Sequence, residues 1–240
     1  MRICILETDR PEGALLAGYG TYADMFVRWL GAELPEAAFD RCHIAGGETP
    51  AAPDDYDAYM VTGSRAGVYE DHPWIAPLIA HLQAIRDARR PVVGICFGHQ
   101  VLAQAFGGQA RRSADGWVLG RLQQQLTEAG EEIFGPGPLQ ALSLHRDQVM
   151  ELPPAARRLT EDSLSPNGAL LYDGFPALSL QFHPEFTPAY LGALIDSFSG
   201  ERLPASQAAA ARATLGGPVD NDRIARGVAR FLRAAVTSPA

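Results

Sequence analysis

PVVGICFGHQ, residues 91–100, is the stretch on which the reading of this chain turns. Pro91 to Ile95 reads as a short apolar strand, and Gln100 to Phe106 as a helix that Gly107-Gly108 stops. Between them Cys96 stands in a Gly-x-Cys-x-Gly frame, with Gly94 and Gly98 two positions away on either side. A cysteine that only fills a core belongs inside an apolar element. This one sits at a sharp strand-to-helix bend, the cysteine form of a nucleophile elbow. Such a bend holds the nucleophile in a strained conformation, and small neighbours let adjacent backbone come close. The helix behind it aims its N-terminal N–H groups and dipole at the sulfur, which favours thiolate over thiol. The N–H of Phe97 would point where an oxyanion develops. The alternative is a buried cysteine in a βα turn whose glycines serve the turn alone.

Upstream of the bend, strand-like and helix-like stretches alternate. RICILE (2–7) is a buried strand, and Tyr22 to Leu30 carries Met25, Phe26, Trp29 and Leu30 at helical spacing before Gly31. Phe39 to Ile44 is a second strand, and YDAYMVT (56–62) a third that ends in Gly63-Ser64. Trp74 to Arg86 is an amphipathic helix through Ile75, Leu78, Ile79, Leu82 and Ile85. This alternation predicts an α/β fold with a mainly parallel sheet. Downstream, Val118 to Thr127, Leu139 to Leu144, Ala169 to Tyr172 and Ala177 to Phe182 read as strands, and Pro188 to Phe198 as a helix. Residues 199–218, rich in Ala, Gly and Pro, read as a mobile connection to a last helix, Arg223 to Val236. No internal repeat and no convincing boundary divides the chain, so one domain over residues 1–240 is expected, with the last helix packed on it.

Composition narrows the function. The net charge is −8 without a dense basic cluster, which argues against nucleic acid as partner. All 20 basic residues are arginine, so neither the lysine of a phosphate loop nor a lysine Schiff base is available. Three widely spaced cysteines, Cys4, Cys42 and Cys96, form neither a disulfide framework nor a zinc pattern. MRICILETD is too short an apolar run for a signal peptide, and no stretch approaches the ~18 apolar residues of a membrane span. The expectation is a soluble protein of the reducing cytoplasm.

A nucleophile needs a base. LQFHPEF (180–186) ends a strand in His183-Pro184-Glu185. Proline holds the residue before it extended, and residues two apart on an extended chain face one side. His183 and Glu185 can therefore project together, the imidazole to move a proton and the carboxylate to orient it. Taken alone, the pair is as readily a surface His and Glu at a strand end.

GxCxGHQ followed by FHPE, with a TGS loop upstream, resembles the class I (triad) glutamine amidotransferases over roughly residues 1–200. The resemblance implies a flavodoxin-like three-layer sandwich around a central mixed, mainly parallel sheet. It makes Cys96 the nucleophile, His183 the base and Glu185 its partner. It places the second oxyanion N–H on Gly63, beside Ser64, and the substrate's amino-acid end against Gln100 and the Ser143 to Asp147 segment, which includes Leu144 and His145. Thr62 and Ser64 stand where relatives of the GGP type carry glycine and proline. His99, where several relatives have methionine, reads as structural or pocket-lining, and His43, His72 and His81 form no metal set.

GICFGHQ and YEDHPWI (69–75) are similar to the GMP-synthase-like group of stand-alone amidotransferase domains, which includes γ-glutamyl peptidases. Nothing in the chain is long enough for an ATP-using synthetase domain, so a complete nucleotide synthetase is not expected. The implied substrate is glutamine or a γ-glutamyl compound, with no cofactor and no metal. Three readings stay open: an amidotransferase that passes ammonia to a separate synthetase partner, a free-standing γ-glutamyl peptidase, and a non-catalytic ligand-binding module.

Overall fold

The computed structural model describes residues 1–237. Twelve strands run in chain order: β1 (Arg2–Glu7), β2 (Ala38–His43), β3 (Ala58–Val61), β4 (Val92–Ile95), β5 (Gln109–Arg112), β6 (Val118–Leu126), β7 (Leu139–His145), β8 (Asp147–Glu151), β9 (Ala156–Arg158), β10 (Thr160–Glu161), β11 (Ala169–Tyr172) and β12 (Ala177–Leu180). The helices are α1 (Gly13–Tyr19), α2 (Tyr22–Leu30), α3 (Ile75–Asp87), α4 (Phe97–Ala105), α5 (Glu128–Phe134), α6 (Pro188–Phe198), α7 (Ala205–Ala213) and α8 (Asn221–Thr237). Among the described residues no helix is long and apolar enough to cross a membrane.

The main sheet has the order β2-β1-β3-β4-β12-β11-β9. From β2 to β12 every neighbour pair is parallel, and β11 and β9 add antiparallel pairs at one edge. Side chains alternate along each strand, and both alternating sets are apolar. Ile3 and Ile5 of β1 and Met60 of β3 pack with Phe26 and Leu30 of α2 and with Ile224, Val228 and Leu232 of α8 on one face. Cys4, Leu6, Tyr59 and Val61 point the other way, onto Leu78 and Leu82 of α3 and Val101 and Leu102 of α4. The result is helix layer, sheet, helix layer, the three-layer α/β sandwich expected. Each fully buried Leu, Ile or Phe contributes about 1.5–3 kcal/mol, so both faces are needed to hold the sheet.

The strands of the second half do not all join the main sheet. β6 and β7 pair antiparallel and take β10 as a third strand, while β5 pairs with β8 in a separate ribbon. Residues 199–218 are not a loose connection: α7 lies within them and buries Ala208 and Ala211 against α6 and the β6–β7 layer. Arg121 fastens its end, with its N–H donating to Thr214 Oγ1 (2.8 Å) and its Nε to Thr214 O (3.0 Å). An alanine-rich helix has a weak apolar pattern, but its small side chains permit close packing. α4 also begins at Phe97, not Gln100, directly after Cys96.

The β4–α4 turn is closed by two very tight backbone contacts. A Cβ on Gly94 would lie 2.4 Å from Gly98 O, and one on Gly98 would lie 2.4 Å from Val61 O. Both obstacles are backbone and cannot swing away. Gly94→Ala and Gly98→Ala are therefore expected to destabilise the protein by about 3 kcal/mol or more. Gly18→Ala, in a helix with nothing within 4 Å of the new carbon, is expected to be neutral or stabilising by up to about 1 kcal/mol. Urea unfolding midpoints of the three variants check this.

Candidate active site

Four parallel strands end on one side of the sheet, and their carboxyl ends carry the site, as open α/β sheets favour. β1 leads to Thr8, β3 to Thr62-Gly63-Ser64, β4 to Cys96, and β12 through Gln181-Phe182 to His183. Thr8 and Thr62 tie two of these ends together, with Thr8 N–H donating to Thr62 Oγ1 (3.0 Å) and Thr8 Oγ1 to Thr62 O (3.0 Å). Ser64 Oγ accepts from Ala66 N–H (3.1 Å). Hydroxyl groups thus hold this loop.

Cys96 adopts φ 55°, ψ −102°, a region that non-glycine residues rarely enter. The conformation is imposed from both sides. Cys96 N–H donates to Leu180 O (2.8 Å) on β12, Cys96 O accepts from Gln100 N–H (3.1 Å), and Gly98 N–H reaches Thr62 O (3.1 Å). The chain must leave the sheet and enter α4 within one residue, which puts Cys96 at the N-cap of the helix.

His183 lies beside it. Its N–H donates to Leu142 O (2.7 Å), which docks the end of β12 on β7. Nδ1 donates to Glu185 Oε1 at 2.7 Å, with both side chains almost fully buried. The ring stacks on Phe186, centroids 4.0 Å apart and planes within 5°. Burial alone pulls the His183 pKa down, but the Glu185 charge and the neighbouring Cys96 sulfur outweigh it and lift it to about 10. A Cβ on Gly63 would sit 3.1 Å from His183 Cε1 and 3.6 Å from Cys96 Cβ, so the TGS loop closes directly over the pair. Phe97 sends its ring into the core beneath α3, and its N–H belongs to the first turn of α4, where no intrahelical acceptor exists.

Cys96, His183, Gly63, Ser64, Gln100, Leu144 and His145 all line one cavity of about 720 Å³, while Glu185 stands behind His183. Gln100 is more constrained than a free substrate ligand: its Nε2 donates to Asp147 O (2.8 Å) and Gln181 Oε1 (3.2 Å). His145 is buried, and burial, with His183 near, pushes its pKa down to about 3. As a neutral ring it pairs Nδ1 with Asp147 O (3.2 Å) and brings no positive charge to a substrate. His99 is wholly buried off the cavity, on Ser179 Oγ (2.8 Å), and burial holds its pKa near about 3. Among the described residues no group of three or more His, Cys, Asp or Glu side chains could hold a metal ion.

The cavity also takes Arg112, Trp117, Phe198 and Arg202, which the sequence motifs do not reach, together with Trp74 and Phe186 from the ends of two motifs. Phe198 and Arg202 come from the end of α6 and the turn after it, and no sequence spacing links them to Arg112 and Trp117.

The family model described as glutamine amidotransferase class-I matches residues 42–195. The chain belongs to this family. A glutamine amidotransferase-like protein of Schizosaccharomyces pombe is 30% identical over 96% of this chain and 98% of its own length. γ-Glutamyl peptidase 4 of Arabidopsis thaliana is 32% identical over 82% of this chain and 81% of its own. The solved structure of a glutamine amidotransferase from Thermotoga maritima superposes with a TM-score of 0.75 at 20% identity, covering 99% of this chain and 98% of that one. The sandwich is thus the class I amidotransferase fold.

The strain at Cys96 has a measurable size. Backbone held in a sparsely populated region costs about 1–3 kcal/mol, and glycine escapes that cost. Cys96→Gly is expected to be more stable than Cys96→Ala by about 1 kcal/mol, after the larger entropy of unfolded glycine is subtracted. Denaturant titration of the two variants measures the difference.

Proposed function

We propose that this chain hydrolyses the γ-glutamyl amide bond of glutamine or a γ-glutamyl peptide through a thioester on Cys96. The observation that supports it most is the buried relay from Glu185 through His183 to a cysteine held at positive φ under the Gly63 loop. That conformation turns the thiol toward the cavity and the His183 ring, as a nucleophile requires. The 30–32% identical relatives, one of them named a γ-glutamyl peptidase, favour the same chemistry.

In this reading Cys96 Sγ attacks the γ-carbonyl carbon. The oxygen takes the negative charge and is met by the N–H groups of Gly63 and Phe97. The C–N bond breaks as His183 Nε2 gives its proton to the departing nitrogen, leaving the glutamyl group on sulfur. Water then enters, His183 takes one of its protons, and the hydroxyl adds to the thioester carbonyl. The C–S bond breaks, glutamate leaves, and the sulfur and His183 return to their starting protonation. Glu185 fixes the ring through Nδ1 and stabilises its positive form. Ser64, Gln100, Leu144 and His145 border the glutamyl end, with the backbone of the 143–147 segment facing its carboxylate.

The direct test is release of glutamate from glutamine and from γ-glutamyl dipeptides by purified protein, with mass detection of the acyl-enzyme. Label from a glutamine-mimicking electrophile is expected on Cys96. Burial pushes the thiol pKa of Cys4 up to about 12 and that of Cys42 upward as well, so both react slowly. Label on Cys4 or Cys42 would overturn the assignment. Ammonia transfer that appears only after a second protein is added would instead identify a partner-dependent amidotransferase.

Glu185→Gln gives a pH test. The Glu185 charge is the main influence lifting His183 to about 10, so its removal lets burial draw that pKa down. The alkaline limb of the activity profile is expected to move to lower pH, with kcat reduced on the order of tenfold to a hundredfold. Stability follows the same sign. His183 contributes most below the unfolded value of about 6.5, and the contribution is lost as pH rises through about 10. An unmoved limb in Glu185→Gln would disprove the relay.

A further inference from the structure

Which amine leaves with the nitrogen is a question for one wall of the cavity. The departing nitrogen takes its proton from His183, so its substituent extends past that ring. On this side His183 stacks on Phe186, which packs edge-on against Tyr190 of α6. Leu194 and Phe198 of α6, Trp117, and then Glu201 and Arg202 on the turn after α6 continue the wall. That turn is firmly made: Arg202 N–H donates to Phe198 O (2.9 Å), Gly200 N–H to Leu203 O (2.8 Å), and Leu203 is buried.

The Arg202 guanidinium lies 5.2 Å above the Phe198 ring. Among the described residues it pairs with no carboxylate, whereas Arg65 and Arg112 on the same cavity face Asp9 (2.8 Å) and Asp147 (3.6 Å). Arg146 is also unpaired, but it belongs to the 143–147 segment assigned above to the glutamyl end. A volume of about 720 Å³ lies in the range that encloses ligands well beyond one free amino acid.

We infer that Trp117, Leu194, Phe198 and Arg202 form a subsite for the leaving amine, with Arg202 binding the free carboxylate of an apolar amino acid or short peptide. The apolar side chain lies on Leu194, Phe198 and Trp117, and the carboxylate meets the planar guanidinium in a charge-assisted pair. Glu201 borders the same rim and repels an anion, which confines the carboxylate to Arg202. The inference rests on the hydrolase reading and names the substrate class within it.

The test compares γ-glutamyl-leucine with γ-glutamyl-leucinamide, which lacks only the terminal charge. The free acid is expected to have a kcat/KM about tenfold higher, carried by KM. Arg202→Gln should bring the ratio to about one, Arg202→Lys should restore part of it, and Glu201→Gln should raise it. Calorimetric binding of the same two ligands to Cys96→Ala reads the preference without turnover. Equal binding of acid and amide, or a preference that survives Arg202→Gln, overturns the subsite. If no substrate is turned over but Cys96→Ala binds the acid about tenfold more tightly through Arg202, the subsite stands and the hydrolase reading falls.

Discussion

Two backbone contacts set the rest of this structure. The Gly98 carbonyl occupies the place where a side chain on Gly94 would begin, and the Val61 carbonyl occupies the same place for Gly98. Only with both positions empty can α4 start immediately beyond β4 and lie against the end of β3. That approach leaves Cys96 one residue in which to reverse direction, which is why it carries φ 55°, ψ −102°. The close packing of α4 on β3 and β4 and the presentation of a thiol to the cavity are one geometric event. The cost of the strain is met by the burial of Phe97, Val101 and Leu102 in the core under α3.

Electrostatics around the thiol follow from which histidine meets a charge. His99, His145 and His183 are all buried, and burial by itself disfavours the imidazolium in each. His99 meets a serine hydroxyl and His145 a backbone carbonyl, both neutral acceptors, and both rings stay uncharged. Only His183 meets a carboxylate, at 2.7 Å, with a sulfur on its other side. Three similar residues therefore end with opposite preferences, decided by the partner and not by depth. The difference is local: in place of the expected extended chain, Pro184 and Glu185 form a turn in which Phe186 N–H donates to His183 O (3.3 Å), and this turn brings the Glu185 carboxylate back to the His183 ring.

The second half of the chain shows where pattern reading stops. β6 and β7 read as strands and are strands, yet their partners lie outside the main sheet. Alternation along a strand says that it has two faces and nothing about which neighbour it joins. α7 was hidden because alanine carries little apolar contrast, and its place became visible only in the fit of Ala208 and Ala211 against α6 and β6–β7. The short strands β5, β8 and β9 exist through pairing, and three to five residues without strong alternation announce nothing beforehand.

By itself the sequence determined what is local: the strand–turn–helix at residues 91–106, the small residues at 94 and 98, the shared side of His183 and Glu185, and the α/β class with a mainly parallel sheet. These follow from steric exclusion and from side-chain periodicity, which act over a few residues. The tertiary structure alone decided what depends on distance. It laid Gly63 so close to the His183 ring that a Cβ there would meet Cε1 at 3.1 Å, engaged the Gln100 amide with Asp147 and Gln181, and buried His145 as a neutral ring. It also assembled the wall from Trp117 to Arg202 out of segments far apart in the chain. No spacing rule connects such residues, because their meeting is set by the order of strands in the sheet and by the packing of α6 and α7 beside it.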